Sequence, residues 1–376
     1  MADRDRPSLV RRLRALRRPP VVPLGRLFGF PLALDPSWLL LGVLLTAGYG
    51  RLVGHVHGAY LIGLGLVVLL VASVLAHELG HALTCRRYGI GVRSITLELL
   101  GGYTEMDRDP PAPGVELAVS LAGPAVSALL GLAGLAGFAA TPRHTVVHQL
   151  AFQLGATNVL VAAFNLLPGL PLDGGRALSA LVWWRTGDAY RGARVAGWTG
   201  RAVALACLSA GLGLYANRAL TLLGAVLVLL VALGVAAGAG QAVHHGRLGA
   251  RLPLLHAAAL ARPVYRVPAG TPLAEAHRRA AEAGADGATL AVTAADGTVN
   301  RLVYPDDAAA TDPAAPVESV ARVVPVLPAG LRGADVLRAV QADPTGEYLV
   351  ASGEDVIGVL RGADVAQVLS ARETSR

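Results

Sequence analysis

The sequence predicts an α-helical polytopic membrane protein, with about six transmembrane helices and a membrane-associated β-hairpin region, followed by a C-terminal α/β unit. Three observations predict it. Over 376 residues the chain is 53% hydrophobic and only 16% charged. The apolar residues are concentrated in 37–240, which holds long windows without charge, while 246–376 reads as ordinary soluble sequence. Spans of about 20 apolar residues recur along the first part. A composition this hydrophobic excludes a disordered regulator, which needs low hydrophobicity and high net charge.

The formal net charge is +7, and every basic residue is arginine. Seven arginines fall within Met1–Arg18, ahead of the first apolar span. Positive charge there sets topology and contacts anionic lipid, so the expected partner is the bilayer and not nucleic acid. Residues 1–34 read as a basic cytosolic arm. Cys85 and Cys207 lack a CxxC partner, which argues against a disulfide framework or a thiolate zinc site.

Six candidate spans follow, at 37–54, 58–83, 115–140, 148–168, 198–216 and 219–240. Five spans follow the first and no A-x-A site closes it, so it reads as retained and not as a cleaved signal. Arginines cluster on one side: the arm, Arg86, Arg87 and Arg93, then Arg176, Arg185, Arg191, Arg194 and Arg201, then Arg247 and Arg251. Only Arg51, Arg143 and Arg218 lie on the other. The positive-inside rule therefore predicts cytoplasmic N and C termini, which fits an even span count. The membrane domain is expected over 35–245 and the cytosolic tail over 246–376.

Two breaks interrupt the helices. Residues 86–114 contain "VRSITLELL", rich in strand formers, before Gly101-Gly102, a hairpin-like signal. Residues 168–176, "PGLPLDGGR", cannot continue a helix. Irregular backbone at membrane depth survives only inside protein or beside a wet cavity. Gly123, Ser127 and Gly131 recur at four-residue spacing, as do Gly234 and Gly238, a pattern that lets helix backbones approach closely.

The tail repeats itself. "RPVYRVPAGTPLAEAHRRAAEAG" (262–284) echoes "ARVVPVLPAGLRGADVLRAVQAD" (321–343), each leading from a β-rich run through Pro-Ala-Gly to an amphipathic helix and more strands. The copies are expected at about 253–305 and 317–371, with 305–316 as a linker.

The second span ends in "AHELGH". His77 and His81, at i and i+4, project from one helix face, a spacing that suits zinc. Glu78 sits beside the first, placed to take a proton from an activated water. Ionisable groups in an apolar span are costly to bury without partners; the competing reading is a helix end that has already emerged into solvent. A catalytic zinc takes a third protein ligand. Asp173 is the candidate, as the one acidic residue between Glu116 and Asp188, with Gly174 and Gly175 permitting a tight turn. An ordinary Asp-Gly surface turn is the alternative. Asn158 and Asn165, seven residues apart on one helix face, read either as substrate or oxyanion donors or as interhelical hydrogen bonders. The pairs His55/His57, His144/His148 and His244/His245 read as solvated faces.

With His77-Glu78-x-x-His81 at one span end and "FNLLPGLPLDGGR" after another, the chain resembles the site-2 protease family of intramembrane zinc metalloproteases, peptidase family M50. It is most similar to the six-span branch with a C-terminal pair of CBS repeats. "GRLFGFPLALDPSWLL" resembles the start of that branch, where a short strand precedes span one, and "GGYTEM" and "GPAVS" also resemble family segments. The resemblance implies one zinc ion held by His77, His81 and Asp173, with Glu78 as general base. It implies cleavage of a substrate's transmembrane segment near the cytoplasmic face of the bacterial cell membrane. The substrate would be a single-span protein such as an anti-sigma factor or another membrane-tethered regulator. Residues 94–104, with Thr96 and Glu98, are expected to hold the unwound segment as an edge strand.

Paired CBS repeats bind adenine nucleotides through a Gly, Thr/Ser, Asp signature. Here the second copy reads Gly358, Arg361, Asp364 and the first Asn300 or Arg301, Tyr304, Asp307. The hydroxyl residue is missing from both, so a homodimerisation or docking module competes with a nucleotide site at Asp307 and Asp364. A CBS-regulated transporter or channel is the alternative from another class, since transporters also use broken helices. It lacks paired broken helices in two similar halves and leaves His77-Glu78-x-x-His81 without a role. A catalytically inactive scaffold is disfavoured because all the proposed ligands and the glutamate are present.

Overall fold

The computed structural model describes residues 21–52, 59–98, 101–143 and 145–370. The arginines of Met1–Arg18, His55, His57 and His144 lie outside the described residues. The chain divides into two compact units, Met1–Gly246 and Arg247–Arg376.

In the first unit a hairpin, β1 (Val22–Leu27) and β2 (Phe30–Leu34), leads into α1 (Ser37–Leu52). Then come α2 (Ala59–Arg87), β3 (Val92–Glu98), β4 (Gly101–Met106), α3 (Pro113–Ala140), α4 (Val146–Asn165), α5 (Asp173–Thr186), α6 (Ala189–Ala216) and α7 (Leu222–Gly249). Among the described residues five helices are long and apolar enough to cross a membrane: α2, α3, α4, α6 and α7. The first expected span appears as the 16-residue α1. Leucines at the helix surfaces are widely exposed, as at Leu61, Leu129, Leu160 and Leu222, which suits a lipid-facing exterior.

Three expectations are corrected. Residues 173–186 form a helix within what read as a loop. The helix expected from 198 begins at Ala189, because the Asp188 carboxylate accepts hydrogen bonds from the Tyr190 and Arg191 amides and caps it; its first turns carry the arginines that hydropathy assigns to a loop. Residues 22–34, placed within the basic arm although the resemblance implies a short strand ahead of the first span, belong to a four-stranded sheet of order β1-β2-β3-β4.

That sheet settles which strand is an edge. β2 runs parallel to β3, pairing Leu32 with Ile95 and Ala33 with Thr96. β4 pairs antiparallel on the other side, Thr96 with Tyr103 and Glu98 with Gly101. β3 is therefore interior, and Thr96, buried between two ladders, cannot receive an added strand; Glu98, the last residue of β3, pairs with Gly101 of β4 one position beyond the last β2 pair, Leu34 with Leu97. The edges are β1 and β4. β1 is blunted by Pro23 and by a bulge between Pro23 and Gly25.

Helix packing rests on small residues. On α3, a Cβ at Gly134 would lie 2.3 Å from the Gly155 nitrogen of α4, and one at Gly131 would lie 3.0 Å from the Val159 nitrogen. Gly238 of α7 lies against the Pro171 ring.

The second unit comprises α8 (Ala257–Leu260), β5 (Val264–Pro268), α9 (Leu273–Glu282), β6 (Thr289–Thr293), β7 (Val299–Val303), α10 (Pro305–Ala309), α11 (Val317–Val320), β8 (Ala321–Val323), β9 (Val326–Pro328), α12 (Ala334–Val340), β10 (Glu347–Ser352), β11 (Asp355–Arg361) and α13 (Gly362–Ser370). The repeat is explicit: β5 runs parallel to β6 and β6 antiparallel to β7, as β9 does to β10 and β10 to β11. The copies are not self-contained, however. Val317, which leads into the second copy, packs in the core of the first, while Leu255 and Ala257, leading into the first, pack in the core of the second. The hydrogen bonds match, Val317 amide to Thr271 carbonyl and Ala257 amide to Leu331 carbonyl, both 3.0 Å. Residues 305–316, expected as a linker, include α10.

Gly134→Leu is expected to destabilise the detergent-solubilised protein by about 1–3 kcal/mol through overpacking against Gly155, read as a lowered melting midpoint. An unchanged midpoint would mean that α3 and α4 do not cross this closely.

Candidate metal centre

His77 and His81 lie one turn apart on α2, and their rings meet edge to face with centroids 4.9 Å apart. The two Nε2 atoms are 3.2 Å from each other. Asp173 comes from the first residue of α5, and its Oδ2 lies 3.1 Å from His77 Nε2 and 3.3 Å from His81 Nε2. One donor atom from each of the three residues thus falls within 4.8 Å of the others. Both histidines are 5% exposed.

The local sequence explains how Asp173 arrives there. After α4 the chain turns through Pro168-Gly169-Leu170-Pro171, held by the Leu170 amide on the Ala196 carbonyl at 2.9 Å. A Cβ on Gly174 would lie 2.3 Å from the Leu166 oxygen, and one on Gly175 would lie 2.1 Å from the Gly169 carbonyl carbon. The two glycines therefore lay the first turn of α5 directly across its own entry loop. Their role is close approach within a helix, not the tight turn expected. A carboxylate in a first helical turn is also favoured by the helix dipole. Arg176, one turn on, ion-pairs with Glu116 of α3 (Nε to Oε1, 2.8 Å) and ties α5 to that helix.

The imidazoles are oriented from behind. His81 Nδ1 donates to the Val119 carbonyl at 2.7 Å, and His77 Nδ1 is hydrogen-bonded to Ser127 Oγ at 2.9 Å. With each Nδ1 engaged, each Nε2 is directed at the shared point, the arrangement that metal-ligating histidines require. Between Val119 and Ser127 on α3 sits Gly123, where a Cβ would lie 2.2 Å from His81 Nε2 and 2.6 Å from His77 Nε2. α3 thus supplies an oriented cradle that any side chain at 123 would fill. Two imidazoles and a carboxylate around such a space fit a zinc ion with an open fourth position.

Glu78, also 5% exposed, is met by β4. The Thr104 hydroxyl donates to its Oε2 at 2.8 Å, and Gly102 lies against its Cγ. Ser127, Gly123 and the Glu116–Arg176 pair carry no site signal in the sequence, and Gly102 and Thr104 enter it only within the expected substrate strand 94–104. The glycines and Ser127 signal only helix or strand packing in sequence, and Thr104 follows a Gly-Gly that reads as a turn.

The remaining candidates lie elsewhere. The Asn158 amide donates to Ser73 Oγ of α2 at 2.8 Å and to the Leu154 carbonyl, the geometry of an interhelical tie. Asn165 is the last residue of α4 and half-buried. Glu98 stands on the interior strand, its carboxyl pushed up by burial and by nearby Asp35. Asp364 is held by Arg262 in a two-point ion pair of 2.9 and 2.6 Å, and Asp307 by Arg322 at 2.5 Å. These arginines occupy equivalent places in the repeat, and each is raised by its hydrogen-bonded aspartate.

A helix-borne histidine pair meeting a carboxylate from a second helix, inside a bundle of membrane-length helices, defines a membrane-embedded centre of zinc-ligand type. Residues 65–154 and 136–208 match the model of peptidase family M50. It is 40% identical over 182 residues to sll0528 of Synechocystis, covering 47% of this chain and 48% of that one. It is 40% identical over 202 residues to Rip3 of Mycobacterium tuberculosis, covering 51% of each. Both carry zinc-metalloprotease names. The chain spans about half the length of these curated relatives. A solved site-2 protease from Methanocaldococcus jannaschii aligns at 26% identity with a TM-score of 0.44, covering 59% of this chain and 95% of that one.

Gly123→Val is expected to abolish zinc retention, measured by metal analysis after purification, while the protein still inserts and purifies. Wild-type zinc content in the variant would contradict the cradle.

Proposed function

We propose that the protein is an intramembrane zinc metalloprotease of the bacterial cell membrane. It hydrolyses a peptide bond in or near the transmembrane segment of a single-span, membrane-tethered regulator such as an anti-sigma factor. The observation that carries this reading is the convergence of His77, His81 and Asp173 on the Gly123 cradle with Glu78 held beside them.

His77, His81 and Asp173 would hold the metal. When bound, zinc supplies Lewis-acid polarisation of the scissile carbonyl and of the attacking water. Glu78 accepts the proton of that water and passes it to the leaving amine, a transfer its next-residue position to a ligand allows. The Val119 carbonyl holds His81 in the tautomer protonated at Nδ1, and Ser127 orients the His77 ring. The helix walls limit bulk water, which strengthens every charge interaction in the site.

A helix hides its peptide bonds, so the substrate unwinds before it is cut. β4, the edge strand without proline, takes the extended segment by backbone pairing, in place of the interior Thr96. Six spans with cytoplasmic N and C termini follow from the arginine distribution. The tail is a tandem CBS-like module that supports homodimerisation or docking. Its Asp307 and Asp364 are engaged by Arg322 and Arg262, which favours this role over adenine-nucleotide binding.

Membrane proteomics on cells making equal amounts of wild-type or Glu78→Ala protein tests the function. One or a few single-span proteins should accumulate uncut only in the variant. Matching membrane proteomes across envelope stresses would count against proteolysis.

A further inference from the structure

Glu78 lies in an apolar helix with little solvent, so the rotamer and hydrogen bonding of its carboxylate are set by what packs on it. β4 does that packing with alternate residues. Gly102 and Thr104 are two apart and therefore share one face of the strand. At Gly102 a Cβ would fall 2.8 Å from Glu78 Cγ and 3.1 Å from Oε1, so only hydrogen fits. At Thr104 the hydroxyl lies 2.8 Å from Glu78 Oε2 and 3.3 Å from the Glu78 backbone oxygen. A hydroxyl has one proton to give, and the shorter, charge-assisted bond to the carboxylate takes it. Thr104 is itself fixed opposite Ile95, a fully buried residue of the interior strand.

We propose that Thr104 is a positioning residue for Glu78. Its hydroxyl engages Oε2 and leaves Oε1, over the hydrogen-only surface of Gly102, as the oxygen that receives the proton. This rests on the reading of Glu78 as general base. The strand that offers its backbone edge to the substrate thereby also sets the base, so the two requirements of the reaction meet on one six-residue element.

Cleavage of a fluorophore–quencher peptide, carrying one membrane span broken by an Asn-Pro pair, tests the assignment with purified full-length protein. Wild type is compared with Glu78→Gln, Thr104→Val and Thr104→Ser, and zinc content is measured for each. Thr104→Val keeps the shape and removes the donor; it should lower kcat about 10- to 100-fold with KM and zinc content unchanged. Thr104→Ser restores the donor and should recover most of the rate. Equal rates for wild type and Thr104→Val, zinc loss in Thr104→Val, or a Thr104→Ser variant as slow as Thr104→Val would each overturn the positioning role alone. A wild type no faster than Glu78→Gln would overturn the protease reading as well.

Discussion

The membrane unit is organised around the cost of burying ionisable side chains among apolar helices. Two imidazoles and two carboxyl groups sit at 5–12% exposure where water cannot pay for their solvation. Each is therefore matched: the histidines by Asp173 in front and by Ser127 and Val119 behind, Glu78 by Thr104, and Arg176 by Glu116. Removing one partner from such a cluster leaves the other buried and uncompensated, which is far more costly than the loss of the bond itself.

Backbone proximity makes this matching geometrically possible. Gly123 brings α3 up to the imidazole tips, Gly174 and Gly175 fold α5 onto its entry loop, and Gly102 brings the sheet onto Glu78. In hydrocarbon, helices gain little from hydrophobic association, so close van der Waals contact through small residues has to supply the adhesion. In this chain the same glycines that bring the helices together also clear the space between the donor atoms. Stability and site geometry are one constraint here.

Much of this was legible in sequence because it is local or compositional. The i, i+4 histidines declare a shared face, and Asp173 stands alone among apolar neighbours. The spans after the first show as apolar runs near the described helices. What was not legible depends on pairings between distant segments. That β3 is interior follows from β2 reaching it across α1 and α2, which no pattern within 94–104 reveals. The start of α6 was hidden because Arg191 and Arg194 look like loop residues to a hydropathy window, although Asp188 caps the helix ahead of them. In the tail the period of the repeat was plain. The exchange of Val317 and Leu255 between cores was not, since both copies keep the same apolar pattern whichever core receives them.

The central claim, that His77, His81 and Asp173 form one metal centre, is tested most directly by zinc-edge X-ray absorption on the purified protein. The account predicts about one zinc per chain, with two imidazole nitrogens at about 2.0–2.1 Å, oxygen donors completing the shell and no sulfur. The imidazole signal should halve in His81→Ala. A protein that takes up no zinc when supplied with it, or a zinc whose shell contains sulfur or is unchanged in His81→Ala, would contradict it.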